Sequence, residues 1–159
     1  MYDLLIKNGT VIDGTGDPRR HLDVAVLDGV IAKVEHGIDE RALNTIDATG
    51  LVVAPGFIDV HTHDDRLLLS SPDMTPKVSQ GVTTVVGGNC GVSLAPLKGI
   101  DPPPPMNLLG GQDWYRFGSV REYREELETA GMATNCVMLV GHSTLRAGVM
   151  DELGNEATS

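Results

Sequence analysis

Apolar residues recur along this chain in two different rhythms, and the rhythm changes at Pro55-Gly56. Before that point short apolar runs alternate with turn residues. Leu4-Leu5-Ile6 leads into Asn8-Gly9 and then Thr10-Val11-Ile12, and Leu22 to Val26 leads into Asp28-Gly29 and then Val30 to Val34. Asn-Gly and Asp-Gly between apolar runs mark two-residue hairpins, because both turn residues accept positive φ. Ile46 and Leu51-Val52-Val53 add two shorter pieces around Thr49-Gly50. Residues 1–55 are therefore predicted to form a small antiparallel β module, with Asp13, Asp17, Asp28 and His36 as solvated turn residues.

From residue 56 to residue 159 strands alternate with helical or loop segments, the pattern of βαβ units and an α/β fold. Phe57 to Val60 predicts a first parallel strand, apolar on both faces and so covered on both. Val82 to Val86, β-branched throughout, predicts the second, and Cys136 to Val140 the third. Met74 to Gln80 predicts a short helix. Ser119 and Glu122 form a capping box, opening a helix whose Val120, Tyr123, Leu127 and Ala130 share one face. Residues 95–118 are rich in Pro and Gly and predict a long excursion with little regular structure, either a lid or a disordered insert. The polar stretch 151–159 has no strand pattern.

The first parallel strand ends in His61-Thr62-His63. Residues two apart on a strand point to one face, so both imidazoles project together while Thr62 turns away. Paired imidazoles at a strand end, where ligands gather in α/β folds, are a candidate site for one divalent metal. Cys90 follows the second strand between Asn89 and Gly91, and reads either as a third, thiolate ligand or as a small buried filler. Cys136 lies early in its strand and reads as core. Asp59 shares the face of the histidines and is a candidate hydrogen-bond partner for a ligand. Asp64 and Asp65 read as solvated loop carboxylates, and His142 as a residue lining the same mouth rather than a ligand. Ser143 is not in a nucleophile elbow, and no P-loop or dinucleotide fingerprint occurs.

Composition narrows the setting. The 159 residues are 41% hydrophobic and 21% charged, which predicts a packed core. The net charge of −10 argues against a nucleic-acid partner, whose phosphates would be repelled. Two cysteines give no disulfide framework and fit a reducing compartment. The N-terminus lacks a basic region followed by a long apolar run, and no stretch approaches the roughly 20 residues that span a bilayer. A cytoplasmic protein without a membrane partner is expected.

Several stretches resemble one family. They are Asp3 to Gly9, Ile12 to Gly16, Ala54 to Asp65, Gln80 to Val85, Gly88-Asn89-Cys90-Gly91-Val92-Ser93-Leu94-Ala95-Pro96-Leu97, Met106 to Gly110 and Gly141 to Arg146. Together they resemble the N-terminal third of the N-acyl-D-amino-acid deacylases (D-aminoacylases) of the metal-dependent amidohydrolase superfamily. The resemblance implies a TIM-like barrel, of which about three parallel strands are present, preceded by part of a small β-sandwich built from both chain ends. It implies zinc, with His61 and His63 as ligands of one metal position and Cys90 as ligand of the other. Cys90 takes the place of the bridging carboxylated lysine of most of the superfamily, in keeping with the absence of lysine near the strand ends. The implied reaction is hydrolysis of the amide of N-acyl-D-amino acids, with a carboxylate as general base.

In that family two further histidine ligands, the catalytic aspartate and the substrate-gripping residues come from later strands. This chain has no histidine after His142, so the general base is expected beyond Ser159 and no catalytic residue is assigned within the chain. The expectation is an N-terminal fragment, inactive alone, with open sheet edges that favour self-association or a complementing chain. Two alternatives stand beside it: a metal-binding module that needs a second chain, and a hydantoinase-like or dihydroorotase-like cyclic-amide hydrolase, against which Cys90 argues.

Overall fold

The first strand, β1, runs unbroken from Tyr2 to Val11, straight through the Asn8-Gly9 pair that predicts a turn. Asn8 does adopt positive φ, 63°, but spends it on a bulge: the register with β2 (Arg20–Leu27) shifts between Ile6 and Gly9. The bulge is held because the Asn8 backbone N–H donates to Asp23 Oδ1 at 2.8 Å, and Gly9 is required there because a Cβ would lie 2.5 Å from Val53 Cγ2. The Asp28-Gly29 hairpin forms as its sequence predicts. Both residues have positive φ, and β3 (Val30–Glu35) returns antiparallel along β2.

The module is mixed rather than wholly antiparallel, which corrects the expectation. Strands β4 (Ala42–Asp47) and β5 (Val52–Val53) both lie parallel to β1, giving the order β3-β2-β1-β4 with β5 beside β1. The chain crosses from β3 to the far side of β1 through Gly37 to Arg41. Ile38 anchors that crossover: its side chain is buried with Leu5 and Ala25, and its N–H donates to the buried Asp23 carboxylate at 3.0 Å. Asp13, Asp17, Asp28 and His36 lie at turns on or near the surface.

The structure, a computed structural model, describes residues 1–157 and divides into two compact units, Met1–Pro55 and a second that begins at Gly56. The last two residues of the polar stretch 151–159 lie outside the described residues. In the second unit β6 (Phe57–Thr62) is followed by the short helices α1 (Leu67–Ser70) and α2 (Thr75–Val78), then by β7 (Val82–Gly87), parallel to β6. The segment after β7 forms a two-stranded ribbon, β8 (Leu97–Lys98) with β9 (Arg116–Phe117), and two 3-10 turns between them. Then come α3 (Val120–Ala130), β10 (Asn135–Met138), parallel to β7, and α4 (His142–Val149).

Two expectations change here. Residues 95–118 are not a disordered insert, because the segment sends several side chains into the core. Leu97, Met106, Leu109, Tyr115 and Phe117 are all buried, and the Tyr115 hydroxyl donates to the Met106 carbonyl. Prolines restrict this segment without loosening it, because buried side chains and the short β8–β9 pairing hold it. Strand β6 is not covered on both faces: Phe57, Ile58 and Val60 are 63%, 61% and 62% exposed. Helix α3 behaves as its pattern predicts. Ser119 Oγ accepts from the Glu122 N–H, Gly131 closes the helix in the left-handed conformation, and Tyr123 and Leu127 enter the core. Among the described residues no helix is long and apolar enough to cross a membrane.

Candidate metal centre

The order β10-β7-β6 puts the C-terminal ends of β6 and β7 side by side, and the two halves of the candidate site leave from those ends. His61 and His63 are on the exit of β6, with ring centroids 5.7 Å apart. Thr62 between them is buried, so the alternation expected of a strand holds. Cys90 leaves the end of β7. A hydrogen bond from Asn89 Nδ2 to the Val60 carbonyl, 3.0 Å, ties that exit loop to the backbone of β6 beside His61. Cys90 Sγ then stands 3.7 and 3.8 Å from the two ring nitrogens of His63. One ligand atom from each of His61, His63 and Cys90 lies within 4.8 Å of the others, and all three residues are exposed.

Two close approaches and a buried clasp fix the loop that carries Cys90. Gly88 has φ +78°, and a Cβ there would fall 2.0 Å from the Leu139 carbonyl oxygen. At Gly141 a Cβ would fall 2.5 Å from the Gly91 carbonyl oxygen. Across this contact the Ser93 N–H donates to Thr144 Oγ1 at 2.8 Å, the Thr144 hydroxyl donates back to the Ser93 carbonyl at 2.9 Å, and the Gly141 N–H donates to Ser93 Oγ at 3.0 Å. Ser93 and Thr144 are fully buried, so these bonds are not exchanged for water. The start of α4 thus acts as a brace for the Cys90 loop. His142, the first residue of α4, is exposed and stands outside the three-residue cluster.

Carboxylates around the cluster depart from their expected roles. Asp59 does not reach an imidazole. Its Oδ2 pairs with Lys77 Nζ at 2.6 Å, and its Oδ1 accepts from the His61 backbone N–H at 3.3 Å. The Lys77 bond holds the Asp59 carboxyl below the usual carboxylate range. Lysine is therefore not absent from the strand end: Lys77, on α2, reaches Thr62 Oγ1 at 3.1 Å and Asp64 Oδ2 at 3.0 Å as well. Burial opposes the Lys77 charge, but the Asp59 and Asp64 carboxylates outweigh it and raise its pKa.

Asp65 is not solvated. It is 1% exposed, accepts from the Leu94 N–H at 3.2 Å, and burial pushes its carboxyl up to about 6. Cys136 packs against the core as expected, and burial raises its thiol to about 11. A groove of about 320 Å³ between α3 and β10, lined by Tyr123, Leu127, Cys136 and Met138 among others, includes none of the three cluster residues. Asn89, Ser93, Thr144 and Lys77 escaped the sequence reading as supports of the site. The family-like runs Gly88 to Leu97 and Gly141 to Arg146 cover three of the four, and nothing in the sequence marks Lys77.

Comparison with known proteins shows which family the chain resembles. Residues 44–159 match the model of the amidohydrolase family. The chain is 52% identical, over 99% of its length, to a D-aminoacylase of Alcaligenes xylosoxydans xylosoxydans, of which it covers 32%. A solved D-aminoacylase, described for the role of its binuclear metal center, superposes with a TM-score of 0.95 at 52% identity, over 100% of this chain and 34% of that one. N-acyl-D-glutamate deacylase from Bordetella bronchiseptica, solved with zinc and a phosphonate mimic of the tetrahedral intermediate, gives a TM-score of 0.85 at 44% identity, over 95% of this chain and 32% of that one. The chain thus spans about a third of the length of the relatives it matches. On this likeness along its whole length, the chain belongs to the D-aminoacylase family of the amidohydrolase superfamily.

Proposed function

We propose that this chain supplies the metal-holding strand ends of a zinc-dependent hydrolase that cleaves the amide bond of N-acyl-D-amino acids. The observation that carries the reading is the convergence of His61, His63 and Cys90 within 4.8 Å. The donor set fits zinc by its chemistry. Thiolate with imidazole suits Zn²⁺, whereas Mg²⁺ and Ca²⁺ take oxygen shells. Its spacing fits too: Zn–N near 2.0–2.1 Å and Zn–S near 2.3 Å put two ligand atoms of one tetrahedral ion about 3.6 Å apart. Cys90 Sγ lies 3.7 Å from His63 Nε2.

His61 and His63 would hold a cation through ring nitrogens, and Cys90 would supply a thiolate at the same rim. When bound, zinc polarises the substrate carbonyl and lowers the pKa of its water to about 7. The chain's own part is to hold three donors at one rim. Asn89, Gly88 and the Ser93–Thr144 clasp fix Cys90, and the backbone of β6 fixes the imidazoles. No Asp or Glu of the described residues joins the cluster, so the general base comes from elsewhere in the assembled site. The parallel order β6-β7-β10 is read as the opening of a βα barrel over residues 56–159, and residues 1–55 as part of a β-sandwich.

A chain swap tests the proposal. A D-aminoacylase whose matching third is replaced by this chain is expected to hydrolyse N-acetyl-D-amino acids and to lose that turnover with Cys90→Ala. The chain by itself is expected to bind zinc without turnover. A folded, zinc-loaded chimera that leaves N-acyl-D-amino acids intact would overturn the assignment.

A further inference from the structure

Lys77 is paired with the two carboxylates that flank the candidate histidines along the chain. Its ammonium donates to Asp59 Oδ2 at 2.6 Å and to Thr62 Oγ1 at 3.1 Å, and it stands 3.0 Å from Asp64 Oδ2 as an ion pair. The Lys77 side chain is only 20% exposed, and those of Asp59 and Asp64 are 29% and 15% exposed, so the pairing is sheltered from water. Asp59 stands two residues before His61, and Asp64 directly follows His63. Both carboxylates are thus within a residue or two of the imidazoles, yet neither joins the cluster, and each is turned onto Lys77 instead.

We infer that Lys77 is a specificity-determining residue: by engaging Asp59 and Asp64 it keeps hard oxygen donors out of the metal shell and leaves a nitrogen–sulfur set selective for zinc-type cations. This rests on the reading of His61, His63 and Cys90 as metal ligands. Carboxylate donors suit Mn²⁺ and Mg²⁺, whereas thiolate and imidazole suit Zn²⁺. Release of two carboxylates beside the cluster therefore moves its preference toward the harder ions. A lysine serving only to stabilise β6 would, on removal, weaken the binding of every metal alike.

The test compares Zn²⁺ and Mn²⁺ affinities of the full chain, zinc by competition with a chromophoric chelator and manganese by loss of the free-ion EPR signal. Lys77→Met is expected to lower the zinc-over-manganese ratio by about 10–100-fold, the usual reach of groups that orient metal ligands. Lys77→Arg, which keeps the charge and its donors, is expected to hold the ratio, and adding Asp59→Asn and Asp64→Asn to Lys77→Met is expected to restore it. An unchanged ratio in Lys77→Met, with zinc still bound, overturns the inference. Should Lys77→Met not fold, Lys77→Gln, whose amide serves one carboxylate at a time, must show the same shift at smaller size, and an unchanged ratio there overturns it equally. Zinc uptake that does not respond to His61→Ala, His63→Ala or Cys90→Ala instead sinks the ligand assignment itself, a distinguishable failure.

Discussion

Cys90 Sγ and His63 Nε2 stand 3.7 Å apart although 27 positions separate them in the chain. They meet because β6 and β7 are parallel neighbours whose exits lie at one rim, and because Asn89 ties the second exit to the first. If that meeting is a metal site, each of its residues matters separately. His61→Ala, His63→Ala and Cys90→Ala are each expected to weaken zinc binding by about hundredfold or more, beyond the loss from an outer-shell partner. Chelator competition on the three variants checks this, with circular dichroism confirming that the fold is kept.

The brace behind Cys90 is expected to show in stability. Thr144→Val keeps the shape of the side chain but leaves the buried Ser93 N–H without its acceptor. A loss of about 1–3 kcal/mol follows from such an unmet donor. Urea unfolding measures it, and Thr144→Ser, which retains the hydroxyl, is expected to lose less.

Gly88 offers a sharper contrast. A Cβ at this position meets the Leu139 carbonyl oxygen at 2.0 Å on a backbone with φ +78°. Gly14 has a similar φ of +81° with nothing within 4 Å. Gly14→Ala is expected to cost about 1–2 kcal/mol from the left-handed backbone alone. Gly88→Ala is expected to cost about 2–4 kcal/mol, because steric contact with the Leu139 backbone just past β10 adds to that strain. Thermal unfolding of the two variants separates the terms.

The buried Asp65 makes stability depend on pH in a definite direction. Burial raises its pKa from 3.8 to about 6 in the folded chain. Between these values the folded form binds more protons than the unfolded one, so this residue's contribution falls as pH rises. The penalty, on the order of 3 kcal/mol, is fully present above about pH 6 and absent below about pH 4. Asp65→Asn removes the titration. With metal chelated, the stability of the variant relative to the native chain is expected to climb from about pH 4 to 6 and then level off. A difference that stays flat over that interval contradicts the assignment of a raised pKa to Asp65.

Much of this architecture is legible in the sequence, for reasons that can be named. The β-branched run at Val82 to Val86, the capping box at Ser119 and the Asp28-Gly29 hairpin each rest on local chemistry, and local chemistry decided them. Asn8-Gly9 shows the limit. Its positive φ was readable, but whether it serves a turn or a bulge depends on Asp23, which lies 15 positions away. Likewise, the Pro-rich segment 95–118 reads as irregular because its order comes from buried side chains and a two-residue ribbon too short to show a period. At the site, His61, His63 and Cys90 stand out by residue type and strand end. Lys77 and Thr144 do not, since a lysine on a short helix and a threonine after a histidine acquire their roles only from packing.

Zinc K-edge X-ray absorption on the zinc-loaded chain tests the central claim most directly. One sulfur at about 2.3 Å is expected beside nitrogen or oxygen ligands near 2.0–2.1 Å, with the sulfur scattering lost in Cys90→Ser. A shell of nitrogen and oxygen alone, or a sulfur signal that survives Cys90→Ser, would contradict it.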